Sequence, residues 1–585
     1  MKFLNYKINE NFIIKLQDNK INLLSFFKKI KSLLDLLNNL FFLCTLKIFI
    51  STMKKLKLFS LIALSSTLAL TSCGGSGTSK GGGTKKFVSK TGWKPNEKQG
   101  WFFAGKQQKQ KGWPGMVYVE GGTFTMGLVK DDVMHDWNNS PRRMQVSSFF
   151  IGETEITNYE YREYLTWLKY VFPPSDPSFK EIYNGALPDT LLWDNKLSRN
   201  DYNETYFRSP EFDYYPVVGV SWLQANRYCE WLTDRANEKA LMQAGIIAKD
   251  LYINESNNQG GTAFNMDKFK SNDPEMQGYI NEQRLQQRTG LKTTNQRLLA
   301  ANRAPSAAMV QKFRLPTEVE WEYAALGMAK NREYNQYIGK KPQIERLRGS
   351  KGRDKGMYME NFKMGTGDYS GIAGWKNDGS ARTSDVRQYP SNDLGIYGMY
   401  GNVAEWTADV YRPIIDEDFS DFNYYRGNMP QAIVRNGDGT YKMVDDSNIQ
   451  YDTLADGRLV YKNLPGQYER QTIADYRNFR DGDKQSSLDY FRAGDSATSY
   501  NMYNAPQKRF IVDANGKVVL QKDTKDRTSA MSNDIRVVKG GSWQDTAYWL
   551  DPGQRRYKNQ GTAYGWIGFR VAQDARASDK GRTRR

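Results

Sequence analysis

The sequence contains very little histidine and cysteine. Its 585 residues include one histidine, His135, and three cysteines. His135 lies in the polar segment VMHDWNNSP, which is typical of a solvent-exposed loop, and a Ser-His-Asp triad or a multi-histidine metal site would need a further histidine. The segment GTGDYSG at 365–371 lacks the Lys-Ser/Thr pair of a phosphate-binding loop. The sequence therefore argues against triad hydrolases and P-loop enzymes.

The amino-terminal segment has the composition of an export signal. Residues 1–52 consist almost entirely of Lys, Asn, Ile, Leu and Phe and read as an upstream extension, so Met53 is the expected start. Residues 53–72 form a predicted lipoprotein signal peptide, in which lysines precede an apolar run too short to span a membrane comfortably. The sequence Leu-Thr-Ser-Cys that follows resembles a bacterial lipobox, which makes Cys73 the expected lipidation site. A transmembrane segment that ends by chance in cysteine is the alternative.

Lipidation of Cys73 would anchor the mature chain permanently, because even two acyl chains suffice for stable attachment. The next residue is Gly74 rather than the Asp that commonly retains lipoproteins in the inner membrane, and no acidic run follows. We therefore expect the periplasmic face of the outer membrane. Residues 73–115 form a predicted flexible tether with a Trp-rich approach to the folded domain. Cys44 lies in the upstream extension, so Cys229 has no disulfide partner and is expected to be a small buried hydrophobic residue.

Four segments predict β-structure. The segment SSFFIGETE predicts a strand that ends near Glu155. The alternating stretch MVYVEGGTFTMG, residues 116–127, predicts a β-hairpin around its Gly-Gly pair. The apolar run at 216–220 predicts a single strand. Asn515-Gly516 lies between two alternating apolar segments and predicts a second hairpin, because this dipeptide favours a tight two-residue turn.

Three predicted helices begin at residues that cap helix amino termini well: Thr157, Ser221 and Thr317. Thr157 and Thr317 are each followed three residues later by glutamate, which completes a capping box. Acidic residues alternate in the helix after Thr317, and we interpret them as capping groups and solvent-exposed side chains. These residues are Glu318, Glu320 and Glu322.

An ordered series of motifs runs from residue 116 to residue 573: YVEGGTFTMG, ETEITNYEY, PVVGVSWLQANRYCEWL, FRLPTEVEWEYAA, YGMYGNVAEWTAD, VVKGGSW and GFRVA. In this order the motifs resemble the formylglycine-generating enzyme, or sulfatase-modifying factor, family. The resemblance implies an α+β fold related to C-type lectins, with little regular secondary structure. Residues 234–312 and 410–530 are then two long insertions into the domain, and residues 574–585 form a basic tail.

The resemblance also marks a former catalytic position. In the family, two cysteines behind the GGS motif bind copper and activate oxygen, and Asp545 and Leu550 stand at those positions here. Thiolates select Cu(I), and a carboxylate with an aliphatic side chain does not replace them. A related catalytic branch, the iron sulfoxide synthases, uses three histidines. We therefore assign no catalytic residue and no required cofactor, and we expect a non-catalytic protein.

An enzyme remains the alternative, either of the formylglycine-generating type or as another metal-dependent oxidoreductase. Asp545 could in principle form a carboxylate–guanidinium site with Arg555 or Arg556. Such pairs are more often structural ion pairs, so we expect that role here.

Calcium is the one cofactor that the resemblance leaves open. Oxygen ligands that mix carboxylate and main-chain carbonyl groups suit this hard cation. The implied sites comprise Asn361, the Phe362 carbonyl, Asp378 and the Ser380 carbonyl, and then the Gly401 and Val403 carbonyls with Glu405. The second site departs from the family pattern, because an asparagine of the family is Gly398 here. The alternative is that GNVAEW forms a tight turn that buries Trp406.

The insertions and the lipid anchor indicate a role in protein assembly. Residues 410–530 are rich in Tyr, Asp and Arg, and interfaces favour Tyr and Arg. Basic residues with aromatics also suit single-stranded nucleic acid, but an exported chain is not expected to meet it. The lipobox, the domain and the insertions together resemble lipoproteins of the Bacteroidetes gliding-motility and type IX secretion machinery. The implied partners are other lipoproteins and periplasmic subunits of a large multimeric assembly. A glycan-binding module is a further alternative.

Overall fold

The computed structural model describes the folded part of the chain with gaps, and all described residues belong to one unit, Asn96–Arg585. The described residues are 112–128, 139, 141–193, 201–244, 247, 264–270, 309–326, 358–363, 380, 382–412, 431–472, 509–512, 516–521 and 532–575. The signal peptide, Cys73, His135, Asp378 and the tail from residue 576 lie outside them. Within the described part, no helix combines the length and the apolar character needed to cross a membrane.

The described α-helices are α1 Asn158–Val171, α2 Lys180–Ala186, α3 Tyr202–Thr205, α4 Trp222–Ala244, α5 Met266–Lys270 and α6 Glu318–Leu326. Helix α4 continues through the first part of the segment predicted as an insertion.

Local hydrogen bonds fix where α1, α4 and α6 begin. The capping pairs are Thr157–Glu160, Ser221–Gln224 and Thr317–Glu320. In each pair the N–H of the cap residue donates to the later side chain at 2.8–2.9 Å. The N–H of the later residue donates back to the cap hydroxyl at 3.2–3.3 Å. These bonds satisfy amides that the first helical turn leaves without acceptors, and they confirm the three predicted helix starts.

The described strands form two four-stranded sheets and four two-stranded ribbons. The first sheet has the order β1-β4-β16-β5, the second has the order β14-β13-β6-β15, and the ribbons are β2-β3, β7-β10, β8-β9 and β11-β12. The strands are β1 Met116–Val119, β2 Gly122–Met126, β3 Arg142–Val146, β4 Phe149–Gly152, β5 Phe313–Arg314, β6 Ala404–Val410, β7 Gln431–Ile433, β8 Tyr451–Thr453, β9 Leu459–Tyr461, β10 Arg470–Thr472, β11 Arg509–Val512, β12 Val518–Gln521, β13 Ile535–Lys539, β14 Arg556–Asn559, β15 Ile567–Gly568 and β16 Ala572–Asp574.

The second sheet brings two distant sequence motifs together. Strand β13, which leads into GGSW, is antiparallel to β6 of the GNVAEW motif, and Lys539 lies opposite Glu405. Strand β15 runs parallel to β6 on its other side. The GGSW segment and the second implied calcium site therefore belong to neighbouring strands of one sheet.

The predicted β-hairpin at residues 116–127 is wrong. Strand β1 pairs with β4, whereas β2 pairs with β3 in a separate ribbon. A Cβ atom on Gly121 would lie 2.5 Å from the Val146 carbonyl oxygen, so glycine is needed where the chain passes from one layer to the other. The alternating pattern identifies two strands, but it does not identify the partner of either strand.

The strand predicted at residues 216–220 is also absent from the described ladders. This segment makes one isolated bridge, between Thr157 and Pro216. Val217 and Gly219 donate their N–H groups to the Ile156 and Tyr564 carbonyls, in two different directions. The run is apolar because it is buried, and burial without a neighbouring strand gives the same composition.

The second predicted hairpin is confirmed, because β11 and β12 pair antiparallel with Val512 opposite Val518. Residues 513–515 of its turn lie outside the described part. Gly516 has a φ of 75°, a left-handed conformation that glycine adopts without steric cost.

The main apolar core lies between α1, α4 and the second sheet. Tyr161 of α1, Cys229 of α4 and Trp406 of β6 are each at most 1% exposed. Its place in the apolar core confirms that Cys229 is a small buried hydrophobic residue, and burial raises the pKa of its thiol. Trp406 donates its indole N–H to the Val220 carbonyl at 3.0 Å and is completely buried.

Residues 431–472 pack directly on this core. The hydroxyl groups of Tyr461 and Tyr164 are 2.6 Å apart, and both side chains are buried. Strand β9 crosses α2 so closely that a Cβ atom on Gly185 would lie 1.9 Å from the Leu459 carbonyl oxygen. This part of the segment predicted as an insertion is thus a folded layer of the same unit.

Candidate functional site

The GGSW motif forms a tight turn immediately after β13. Gly540 has a φ of 78°, and a Cβ atom there would lie 3.1 Å from the ring of Trp321. A Cβ atom on Gly541 would lie 2.5 Å from Leu550 Cδ2. The left-handed conformation of Gly540 and the contact between Gly541 and Leu550 therefore both require glycine in this turn.

Asp545 is held by polar partners on two sides. Its Oδ1 lies 2.7 Å from Arg556 Nη1, and the Ser542 hydroxyl donates to its Oδ2. The Arg556 guanidinium lies over the rings of Trp549 and Trp566, at 4.7 and 4.6 Å from their centroids. Burial lowers the pKa of Arg556, although Asp545 opposes this effect. The expected structural ion pair of Asp545 is confirmed, with Arg556 as its partner.

Leu550 stands at the second position where the resemblance implies a copper-binding cysteine; it is 1% exposed and packs against Gly541. A Cu(I) site would need soft sulfur ligands at these two positions. The chain offers one carboxylate, already paired with a guanidinium, and one aliphatic side chain. This donor set does not fit copper.

In the second implied calcium site, the carboxylate of Glu405 is engaged in an ion pair with an arginine. Glu405 and Arg570 are both completely buried, and Arg570 Nε and Nη2 donate to the two Glu405 carboxylate oxygens at 2.6 and 2.5 Å. The Trp321 indole donates to Glu405 Oε2 at 2.8 Å. A divalent cation at Glu405 would meet the Arg570 charge at close range. The residues at Gly401, Val403 and Glu405 therefore do not fit calcium.

The first implied calcium site is described only in part, since Asp378 lies outside the described residues. Asn361 and Phe362 are buried. The Asn361 carbonyl accepts the Asn402 N–H at 2.9 Å, and its side-chain amide donates to the Arg382 carbonyl at 2.6 Å. The Ser380 hydroxyl lies 3.1 Å from the Tyr389 hydroxyl. Among the described residues, no group of three His, Cys, Asp or Glu side chains is arranged to hold a metal ion.

The acidic residues of α6 are buried ion-pair partners, so their interpretation as solvent-exposed groups is wrong. Glu318 pairs with Arg555, Glu322 with Lys539 and Glu320 with Arg314. Burial disfavours the charge of Glu318, but Arg555 and Lys539 outweigh this effect and lower the pKa of the carboxyl group. The helix is too short for its sequence pattern to show that partners from three other segments surround it.

A pair of buried carboxyl groups next to these motifs has no recognisable signal in the sequence. Glu155 and Glu360 are 0% and 3% exposed, and each has one oxygen without a hydrogen-bond partner. Burial raises the pKa of Glu155 to about 8, against the opposing effect of Arg570. Burial and the nearby Glu155 raise the pKa of Glu360 well above its ordinary value. The ETEITNYEY motif contains Glu155, but its spacing reads as a strand end rather than as a buried acid.

Comparison with known proteins identifies the family. Residues 103–451 match the sulfatase-modifying factor enzyme 1-like domain. The formylglycine-generating enzyme of Mus musculus is 21% identical over 294 residues, which cover 50% of this chain and 58% of that enzyme. The inactive C-alpha-formylglycine-generating enzyme 2 of Bos taurus is 25% identical over 317 residues, which cover 51% of this chain and 71% of that protein. The chain thus spans little more than half of the mouse enzyme.

Two solved structures align with most of the chain at low identity. PvdO from Pseudomonas aeruginosa aligns with a TM-score of 0.32 and 14% identity, over 78% of this chain and 94% of PvdO. CarF aligns with a TM-score of 0.30 and 15% identity, over 78% of this chain and 97% of CarF. The expected α+β fold of the formylglycine-generating type, with little regular secondary structure, is confirmed. The family match covers more than half of the chain, and the chain therefore belongs to the sulfatase-modifying factor enzyme 1-like family, whose members include enzymes and relatives named inactive.

Proposed function

We propose that this chain is a non-catalytic member of its family that serves as a lipid-anchored interaction scaffold at the outer membrane. The observation that carries the proposal is the state of the two former thiolate positions. Asp545 is paired with Arg556, and Leu550 is packed against the GGSW turn. Neither position offers a thiolate to copper, and function depends on the residues at the site rather than on the fold that carries them.

Inactive relatives support this proposal. Two of the similar proteins, from Bos taurus and Mus musculus, carry the name inactive C-alpha-formylglycine-generating enzyme 2. A fold of this family is therefore compatible with loss of the oxidase function. The layer formed by residues 431–472 adds surface to the domain without adding a catalytic group that we can assign.

The sequence features outside the described residues supply the cellular context of the proposal. Cys73 would carry the lipid anchor, with the domain on the periplasmic face of the outer membrane. By its lipobox, domain and insertions, the chain resembles the gliding-motility lipoprotein GldJ, or the related type IX secretion lipoprotein GldK/PorK, of Bacteroidetes. Its partners would be other lipoproteins and periplasmic subunits of that machinery, in a large multimeric assembly without nucleic acid.

Co-purification tests this context. The tagged full-length chain is captured from detergent-solubilised envelopes, and the captured proteins are identified by mass spectrometry. We expect gliding or type IX secretion components with the native chain. A Cys73→Ala variant should leave the membrane fraction and lose these components. Capture of the native chain without any such component would contradict the proposed partners.

A metal-dependent oxidoreductase is the second candidate, because several of the similar proteins are named formylglycine-generating enzymes. Elemental analysis of the protein purified without chelators separates the two functions. A stoichiometric transition metal, together with oxygen consumption on a cysteine-containing peptide, would establish an enzyme. We expect neither, and Asp545→Cys/Leu550→Cys is the positive control for copper binding.

A further inference from the structure

A groove runs along α1, and no residue of the GGSW turn lines it. It has a volume of about 1070 Å³ and is lined by α1, α2, the loop after α2 and residues 207–208. The turn between β8 and β9 closes one side with Asp456 and Arg458. The groove therefore lies where the 431–472 layer meets the rest of the domain.

The wall supplied by that layer is firmly held. Arg458 donates to the Asp456 carboxylate at 2.7 Å and to the Leu187 carbonyl at 2.6 Å. The Leu187 carbonyl belongs to the carboxyl-terminal cap of α2, so these bonds join the turn to the helix. Tyr461, at the end of β9, is hydrogen-bonded to Tyr164 in the core. The groove is preformed rather than assembled when a partner arrives.

The charge of the groove is mainly positive. Four cationic and two acidic side chains line it. Arg162 pairs with Asp213, Arg458 pairs with Asp456, and the acidic Asp189 accepts the Leu191 N–H at 3.0 Å. Lys169 and Arg208 are exposed and make no side-chain ion pair within the described part of the chain. These two cations are available to an anionic partner.

The groove also has apolar side chains that are exposed to solvent. Leu191 is 63% exposed and Tyr170 is 45% exposed, and both line it. Phe207 forms part of the wall. Tyrosine and arginine at the rim of a preformed depression are typical of the residues that dominate protein interfaces. A volume at the upper end of small-ligand pockets, with an open rim, suits several consecutive residues of a chain better than one small molecule.

We propose that this groove binds an acidic, extended polypeptide segment of a partner protein. Lys169 and Arg208 receive carboxylates of the segment, and Tyr170, Leu191 and Phe207 receive its apolar side chains. Charge complementarity selects an acidic partner, and the apolar wall selects a polypeptide over a simple polyanion. This inference specifies the partner chemistry of the scaffold proposed above and rests on that function for its biological meaning, but the groove can be tested by itself.

The test measures the fluorescence anisotropy of labelled random copolymers mixed with the purified full-length protein. A glutamate–tyrosine copolymer should bind. Polyglutamate should bind more weakly, because it offers nothing to the apolar wall, and a lysine–tyrosine copolymer should not bind. Added salt should weaken the binding, since the two cations are exposed.

Charge-reversal variants assign this binding to the groove. Lys169→Glu/Arg208→Glu should weaken binding of the glutamate–tyrosine copolymer by about tenfold or more, because it removes both free cations. Arg143→Glu is a control that reverses one charge, since Arg143 is an exposed arginine of β3 that does not line the groove. The double alanine variant at Lys169 and Arg208 removes the two charges without reversing them and should show an intermediate loss of copolymer binding. It is a second test in case the glutamate variant does not fold. Equal weakening by Arg143→Glu would overturn the proposal, as would unchanged binding of the double variant.

Two further outcomes are decisive. Heparin that binds more tightly than the glutamate–tyrosine copolymer would identify a sulfated glycan as the occupant and overturn the polypeptide proposal.

Envelope co-purification with the double glutamate variant separates this inference from the proposed function. If secretion components are captured equally by the native and variant chains, the groove proposal fails and the scaffold function stands. If the copolymers bind as expected but no secretion or motility component is captured from envelopes, the partner assignment fails, whereas the proposal that the groove binds acidic polypeptides is supported.

Discussion

Replacement of Arg570 by methionine should remove a large part of the stability of this domain. Arg570 and Glu405 are both 0% exposed and joined by two hydrogen bonds. Arg570 also donates to the Gly152 and Tyr397 carbonyls, at 3.1 and 2.9 Å. In the variant the Glu405 carboxylate stays buried and loses both guanidinium hydrogen bonds, while the Trp321 indole N–H still donates to it.

Loss of one partner from a buried ion pair costs about 3–5 kcal/mol, because the remaining charge keeps its desolvation penalty. A domain of ordinary stability has only about 5–15 kcal/mol to lose. We therefore expect the urea midpoint of Arg570→Met to fall strongly, measured on the full-length protein by tryptophan fluorescence. The slope of the transition should stay unchanged if folding remains two-state.

Two control variants make this prediction refutable. Arg387→Met removes a pair with Glu153 that spans 3.5 Å and is 58% and 35% exposed, so it should cost no more than about 1 kcal/mol. Arg570→Met/Glu405→Leu removes both charges and should recover much of the loss, because no uncompensated charge then remains. A cost for Arg570→Met as small as that of Arg387→Met would refute the reasoning. A double variant less stable than the single variant would do the same.

Other measurements test other parts of the structure. Tyr461→Phe should lower the free energy of unfolding by about 1 kcal/mol through loss of the hydrogen bond with Tyr164, and an unchanged value would show that the 431–472 layer does not dock on α1. Burial raises the pKa of Glu155 from 4.5 to about 8, so the folded state keeps a proton that the unfolded state has released. The free energy of unfolding should therefore fall as the pH rises from 4.5 to 8, and Glu155→Gln should flatten this dependence; equal slopes would contradict the buried position. In a chain that lacks Cys44 and Cys73, Cys229 should react with a maleimide only in urea, and rapid reaction of the native protein would show that the thiol is accessible.

Features set by neighbouring residues could be predicted from the sequence. The helix starts at Thr157, Ser221 and Thr317 depend on side chains three residues away, so their signals are local. The residue types at the two positions where the family has copper-binding cysteines can likewise be read directly from the sequence. Asp545 and Leu550 are not sulfur ligands in any conformation, so the loss of the copper donor set follows from residue type alone.

Features that depend on distant segments were decided only by the tertiary structure. The sequence shows that residues 116–126 alternate, but the partners β4 and β3 follow from the packing of two separate layers. The sequence motif around Glu405 suggests a calcium ligand, whereas in the fold Arg570, 165 residues further along the chain, donates to both of its carboxylate oxygens. The groove beside α1 likewise needs Arg458 from another layer. In each case a local pattern specifies the chemistry of a residue, whereas burial and long-range contact determine which partner satisfies it.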